Sequence, residues 1–163
     1  MIEPCPSLPV VRLLPDDFCL TEAFARVSAL PGCLWLDSAS RGPCDMDGHP
    51  IGRFSFLTAD PIDTLVAFEG DADPWPVLDA WCQKIPTDRD PTLPPFQGGI
   101  AGLLGYEAAT WLESVGISRV NDLPTPAFSL GLYDWTIAVD HERNQAWILS
   151  QGLAASGTSD RLR

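Results

Sequence analysis

Four residues carry the inventory for holding a free amino acid: Asp37 and Ser38 in the stretch CLWLDS, and Arg53 and Phe54 in GRFSFLTAD. An amino acid presents an ammonium, a carboxylate and a side chain. Recognition takes a carboxylate or carbonyl oxygens for the first, an arginine or N–H donors for the second, and an apolar slot for the third. Asp37, Ser38, Arg53 and Phe54 supply all three if the two strand ends that carry them come together. The same residues also fit a plain strand-terminal turn with a surface ion pair, contributing about 0 to 1 kcal/mol. Composition and spacing leave both open.

Other constellations fall on their spacing. Gly98, Gly99, Gly102 and Gly105 in PFQGGIAGLLGYE crowd together as in a phosphate loop, yet Tyr106 and Glu107 follow where a lysine and a hydroxyl are needed. Glu107 would also repel a phosphate at the start of a helix. A buried strand whose glycines admit close backbone approach is the remaining reading. Asp45 and Asp47-Gly48 imitate the start of a calcium loop, but the later ligand positions do not follow. His49 and His141 both fall in expected turns without sequence partners, so both are read as surface histidines. Cys5, Cys19, Cys33, Cys44 and Cys82 are odd in number and never spaced C-x-x-C, which fits reduced thiols rather than zinc. No catalytic residue and no metal ligand is assigned.

The chain that must position these residues has 163 residues, enough for one domain burying about 70% of its unfolded surface. A net charge of −12 with Lys84 as the only lysine argues against nucleic acid. The apolar run Ile100 to Tyr106 is far short of the roughly 20 residues a membrane span needs. The N-terminus lacks a basic region ahead of an apolar core, so a cytoplasmic protein is expected.

Residues 16–29 place Leu20, Phe24 and Val27 on one helical face, with Asp16 or Asp17 as cap and Pro31-Gly32 as stop. Strands are expected at 33–38, 53–60 and 62–70. Asp73, Pro74 and Pro76 open a short helix whose apolar face is Val77, Leu78, Trp81 and Ile85. The glycine strand leads into a helix from about Glu107 to Glu113. Residues 128–151 read as one long hairpin, with Tyr133, Trp135, Ile137 and Val139 on one face and Trp147 and Leu149 returning. The tail 152–163 has linker composition. Mixed elements without βαβ alternation give α+β, mainly antiparallel sheet with flanking helices.

GRFSFLTADP, LPPFQGGIAGLLGYE, DLPTPAFSLGLYDWTIAVDH and AWILS occur in this order. Together they resemble the N-terminal region of the chorismate-utilising enzymes, which comprise anthranilate synthase component I and aminodeoxychorismate synthase component I. The resemblance covers roughly residues 20 to 151. It implies the N-terminal part of an α/β sandwich, with residues 1–151 as the domain and 152–163 as the start of a linker to a chorismate-binding catalytic half. That half would hold the acid/base residues and Mg²⁺, so this chain is expected to be inactive alone and to hold no cofactor. The hairpin GLYDW…DH is more similar to the aminodeoxychorismate branch, the para-aminobenzoate synthase of folate synthesis. The resemblance also implies a glutamine amidotransferase (component II) as partner and chorismate as substrate through the other half.

Members of this family bind tryptophan near a Leu-Leu-Glu-Ser motif and a following strand. LWLDS is similar to that motif, with Asp37 in the glutamate position and Ser38 matching the serine. The second segment corresponds to Ile51, Gly52, Arg53 and Phe54. Aspartate shortens the carboxylate's reach by one methylene. Anthranilate synthase component I and a stand-alone amino-acid-binding regulatory domain are the alternative readings.

Overall fold

The computed structural model describes residues 9–38, 46, 51–87, 89–114 and 125–153. Its strands are β1 (Val10–Leu13), β2 (Leu34–Leu36), β3 (Phe54–Thr58), β4 (Asp63–Ala67), β5 (Gly99–Leu104), β6 (Phe128–Tyr133), β7 (Trp135–Asp140) and β8 (Gln145–Ser150). Helices α1 (Leu20–Val27) and α2 (Trp75–Cys82) and a 3-10 helix (Tyr106–Trp111) accompany them. The strands form a five-stranded sheet, β1-β8-β7-β3-β2, and a three-stranded sheet, β4-β6-β5. Every pairing is antiparallel. The sheet-dominated α+β architecture expected from the sequence is the one found.

Each sheet buries its own apolar cluster. Phe128 of the small sheet meets Trp75 and Trp111 edge-on, with ring centroids 5.3 and 5.6 Å away. Leu78, Ala67, Ala108 and Ala127 complete that cluster. Trp75 and Leu78, rather than the expected Val77, turn toward the sheet, and Val77 is exposed. Trp81 is buried and its Nε1 donates to Asp63 Oδ2 at 2.9 Å, tying α2 to β4. In the large sheet, Ala138, Trp147 and Leu149 pack with Phe56 and Leu93. On the opposite face Phe24 of α1 lies on Trp35, 4.9 Å between centroids.

The glycine stretch is β5, an edge strand pairing with β6. Gly102 has φ 144°, and a Cβ there would sit 2.2 Å from the Ser129 carbonyl oxygen. Close backbone approach explains the glycine at that position.

Several expectations are corrected. The long hairpin is divided at Asp134: β6 joins the small sheet and only β7 pairs with β8. Trp147 and Leu149 stand opposite Ala138 and Thr136, so they share a face with those residues and not with Ile137. Strand β1 was not anticipated; it adds to β8 at the sheet edge. The N-cap of α1 is Cys19, without a side-chain cap bond, in place of Asp16 or Asp17. The expected helix at Glu107–Glu113 is a single 3-10 segment shifted toward its start. His49, Asp45 and Asp47 lie outside the described residues.

Candidate functional site

The ends of β2 and β3 do meet. Leu36 pairs with Phe56, so the next residue, Asp37, falls opposite Ser55. Ser55 Oγ, fully buried, lies 2.9 Å from Asp37 Oδ1 and 2.7 Å from His141 Nε2. It also accepts the Ser38 backbone N–H at 3.0 Å. A hydroxyl has one proton and two lone pairs. The proton goes to the Asp37 carboxylate, so the hydroxyl must accept from both Ser38 and His141. The geometry therefore fixes the imidazole proton on Nε2.

Aspartate, serine and histidine in contact invite comparison with a nucleophilic triad, and the order excludes it. In a triad the histidine lies between carboxylate and hydroxyl and removes the serine proton. Here the serine lies between, gives its proton to the carboxylate, and is sealed from solvent. The network is a clasp joining three chain segments.

Arg53 belongs to a second cluster. Its Nε donates to Asp140 Oδ1 at 3.0 Å and its Nη2 to Asp140 Oδ2, while Nη1 lies 3.1 Å from Glu142 Oε2. Its guanidinium carbon sits 4.8 Å from the centre of the Phe54 ring. Hydrogen bonding to Asp140 holds the Arg53 guanidinium above its ordinary value. Burial pushes the Asp140 carboxyl up, but Arg53 and the backbone N–H groups of Arg143 and Glu142 outweigh it, and the net value is lowered. Arg143 approaches the same carboxylate at 3.8 Å. Two arginines and two carboxylates thus cancel within this cluster.

A cleft of about 120 Å³ opens beside it, with Arg53, Phe54, Thr92, Leu93, Asp140 and Trp147 among its walls. That is below the roughly 300 Å³ at which ligand pockets usually begin. Ile51 is 53% exposed and Gly52 has φ 87° in the turn leading to β3. All six candidate positions therefore stand at one end of the large sheet. Asp37 and Ser38 meet Ser55, whereas Arg53 and Phe54 gather around Asp140. His141 bridges the two groups: its ring meets Ser55, and its backbone N–H donates to the Arg53 carbonyl at 2.9 Å. Sequence reasoning missed Ser55, Asp140 and His141. The signal was strand parity, readable only once the register is known.

Among the described residues no group of three His, Cys, Asp or Glu side chains gathers as a metal site. None of their helices is long and apolar enough to cross a membrane.

The fold is a sheet-rich domain of the type seen in anthranilate synthase component I. The solved structure of that protein from Streptococcus pneumoniae superposes with a TM-score of 0.55 over 93% of this chain and 33% of its own, at 20% identity. No protein-family model matches the chain. Aminodeoxychorismate synthase component 1 of Escherichia coli is 34% identical over 143 residues, and that of Salmonella typhimurium 32% over 142. Both alignments cover 78% of this chain and 30% of the relative. Anthranilate synthase component 1 of Mycobacterium tuberculosis is 29% identical over 95% of this chain and 33% of its own length. The chain is a homologue of the component I proteins of aminodeoxychorismate synthase and anthranilate synthase, as its motifs suggested. It spans about 30% of the length of these aminodeoxychorismate synthase relatives.

Proposed function

We propose that the chain is the N-terminal part of an aminodeoxychorismate synthase component I, which aminates chorismate at C4 for para-aminobenzoate and folate synthesis. The carrying observation is the identity to the aminodeoxychorismate synthases of Escherichia coli and Salmonella typhimurium, 34 and 32%, against 29% to the anthranilate synthase of Mycobacterium tuberculosis; the aminodeoxychorismate synthase of Bacillus subtilis, at 27%, does not separate the branches. On this reading the remaining two thirds of the enzyme supply the acid/base groups, the Mg²⁺ ligands and the chorismate site. A glutamine amidotransferase, component II, delivers ammonia.

The test joins this domain to the rest of its native enzyme, adds chorismate, ammonium and Mg²⁺, and identifies the product by mass spectrometry. Aminodeoxychorismate retains the enolpyruvyl group and is expected. Anthranilate, formed by attack at C2 with loss of pyruvate, would move the chain to the other branch.

The rim formed by Asp37, Ser38, Ile51, Gly52, Arg53 and Phe54 is proposed as an amino-acid site for tryptophan, with Asp37 receiving the ammonium. Asp37 is exposed, and one of its oxygens is held by Ser55, which supports that role. Millimolar tryptophan is expected to raise the melting temperature by mass action, and Asp37→Ala to remove the rise. An unchanged melting temperature in the wild-type chain would count against the site.

A further inference from the structure

We infer that Asp134 is a positioning residue for the polypeptide that follows Leu153: it clamps the segment leaving β8 and so fixes the direction in which the chain leaves this domain. This rests on the reading of the chain as the N-terminal part of a longer enzyme. Asp134 stands between β6 and β7, where the chain passes from the small sheet to the large one. Its carbonyl accepts the Gln151 N–H at 2.8 Å, its Oδ2 accepts the Ser150 hydroxyl at 3.3 Å, and its Oδ1 accepts the Leu153 N–H. One buried residue thus holds the run from Ser150 to Leu153 at three points. The two bonds to the carboxylate are charge-assisted, the stronger kind.

Gly152 makes the last of these bonds possible. Strand β8 ends at Ser150, and the Leu153 N–H returns to Asp134 because Gly152 turns at φ 66°, a left-handed conformation that glycine adopts without strain. A Cβ on Gly152 would meet no atom within 4 Å, so conformation and not crowding explains the glycine. Gln151 ties the same segment to the small sheet. It is buried, and a Cβ on Gly98, just ahead of β5, would sit 2.8 Å from its Cγ. The exit is therefore held against both sheets. The aminodeoxychorismate synthase relatives align over 30% of their length, so most of such an enzyme lies outside this domain. A fixed exit keeps that remainder at high effective concentration against the domain, where a free linker would not.

The experiment is scanning calorimetry of the domain joined to the rest of its native enzyme, which reports whether the two parts unfold together. The wild type is expected to give one transition. Leu153→Pro removes the clamped N–H outside both sheets and disfavours the turn before it, and is expected to split the unfolding into two transitions. Asp134→Ala, which removes the acceptor, is expected to do the same. Leu153→Ala keeps the N–H, and Asp134→Asn keeps an acceptor for it, so both are expected to retain the single transition. In the 163-residue chain Leu153→Pro should lower the melting temperature by only about 2–4 °C, the loss of one hydrogen bond. A residue that merely stabilises the domain would shift the transition of the joined enzyme without dividing it. One undivided transition in Leu153→Pro or in Asp134→Ala overturns the inference, as do two transitions in the wild type. Splitting by Leu153→Ala would assign the coupling to the leucine side chain and overturns it too. The synthase reading fails separately: if the joined wild type aminates no chorismate, that reading is lost, while the pattern of transitions still decides the clamp.

Discussion

Removing Arg53 would leave Asp140, whose side chain is 1% exposed, with only backbone N–H groups and the more distant Arg143. Breaking a buried pair from one side strands the other charge. Arg53→Ala is therefore expected to cost about 3 kcal/mol, or roughly 6–12 °C in melting temperature for a chain of this size. Adding Asp140→Asn should recover part of that loss, since the stranded charge is gone; no recovery in a double-mutant cycle would show that the pair does not act as one. The sign with pH follows from the lowered Asp140 value. Its stabilisation is fully present above the unfolded carboxylate value of about 3.9 and is lost as pH falls through the still lower folded value. An acid titration of stability should steepen there in the wild type and be flatter in Asp140→Asn. The sequence disclosed that Arg53 could bind a carboxylate. It did not disclose which one, because Asp140 lies 87 residues along the chain and only strand register joins them.

At the scale of elements, what was legible and what was not separate by the range of the forces involved. Helix α1 followed from Leu20, Phe24 and Val27, and β2, β3 and β4 from short apolar runs between turn residues. Those are local signals. The division of residues 128–140 between two sheets was not local: β6 and β7 look like one continuous alternating strand. Asp134 marks the crossing, buried at 2% exposure, with its carboxylate accepting from Ser150 Oγ and the Leu153 N–H. Among the glycines, periodicity could show that β5 was crowded but not where. Gly102→Ala is expected to cost about 3 kcal/mol by driving Cβ into the Ser129 carbonyl. Gly70→Ala, with φ 92° and no atom within 4 Å, should cost only the backbone strain, about 1 kcal/mol. Urea titrations of the two variants compare them directly, and equal losses would refute the close-approach argument at Gly102.

For the whole molecule, the surface of the small sheet bears on whether this chain works alone. Val66 and Leu103 both stand opposite Ser129, one on each edge strand, and therefore lie on one face of the sheet. They are 57 and 47% exposed. Farther along the same face Tyr133 folds over Gly131, and its hydroxyl donates to the Gly32 carbonyl at 2.7 Å, covering that end. An apolar face half covered and half open suits a domain that packs against more protein, as the proposed synthase requires. Val66→Glu with Leu103→Lys tests this, because the charges are of opposite sign and leave the net charge unchanged. In the 163-residue chain the pair should shift stability by no more than about 0.5 kcal/mol, the range of ordinary surface substitutions. In the complete enzyme the same two side chains would lose water at the interface, and a substantial loss of ammonia-dependent activity is expected. Full activity of the doubly substituted enzyme would show that this face stays in solvent, and the packing partner would then have to be sought at the open edges of β1 or β2.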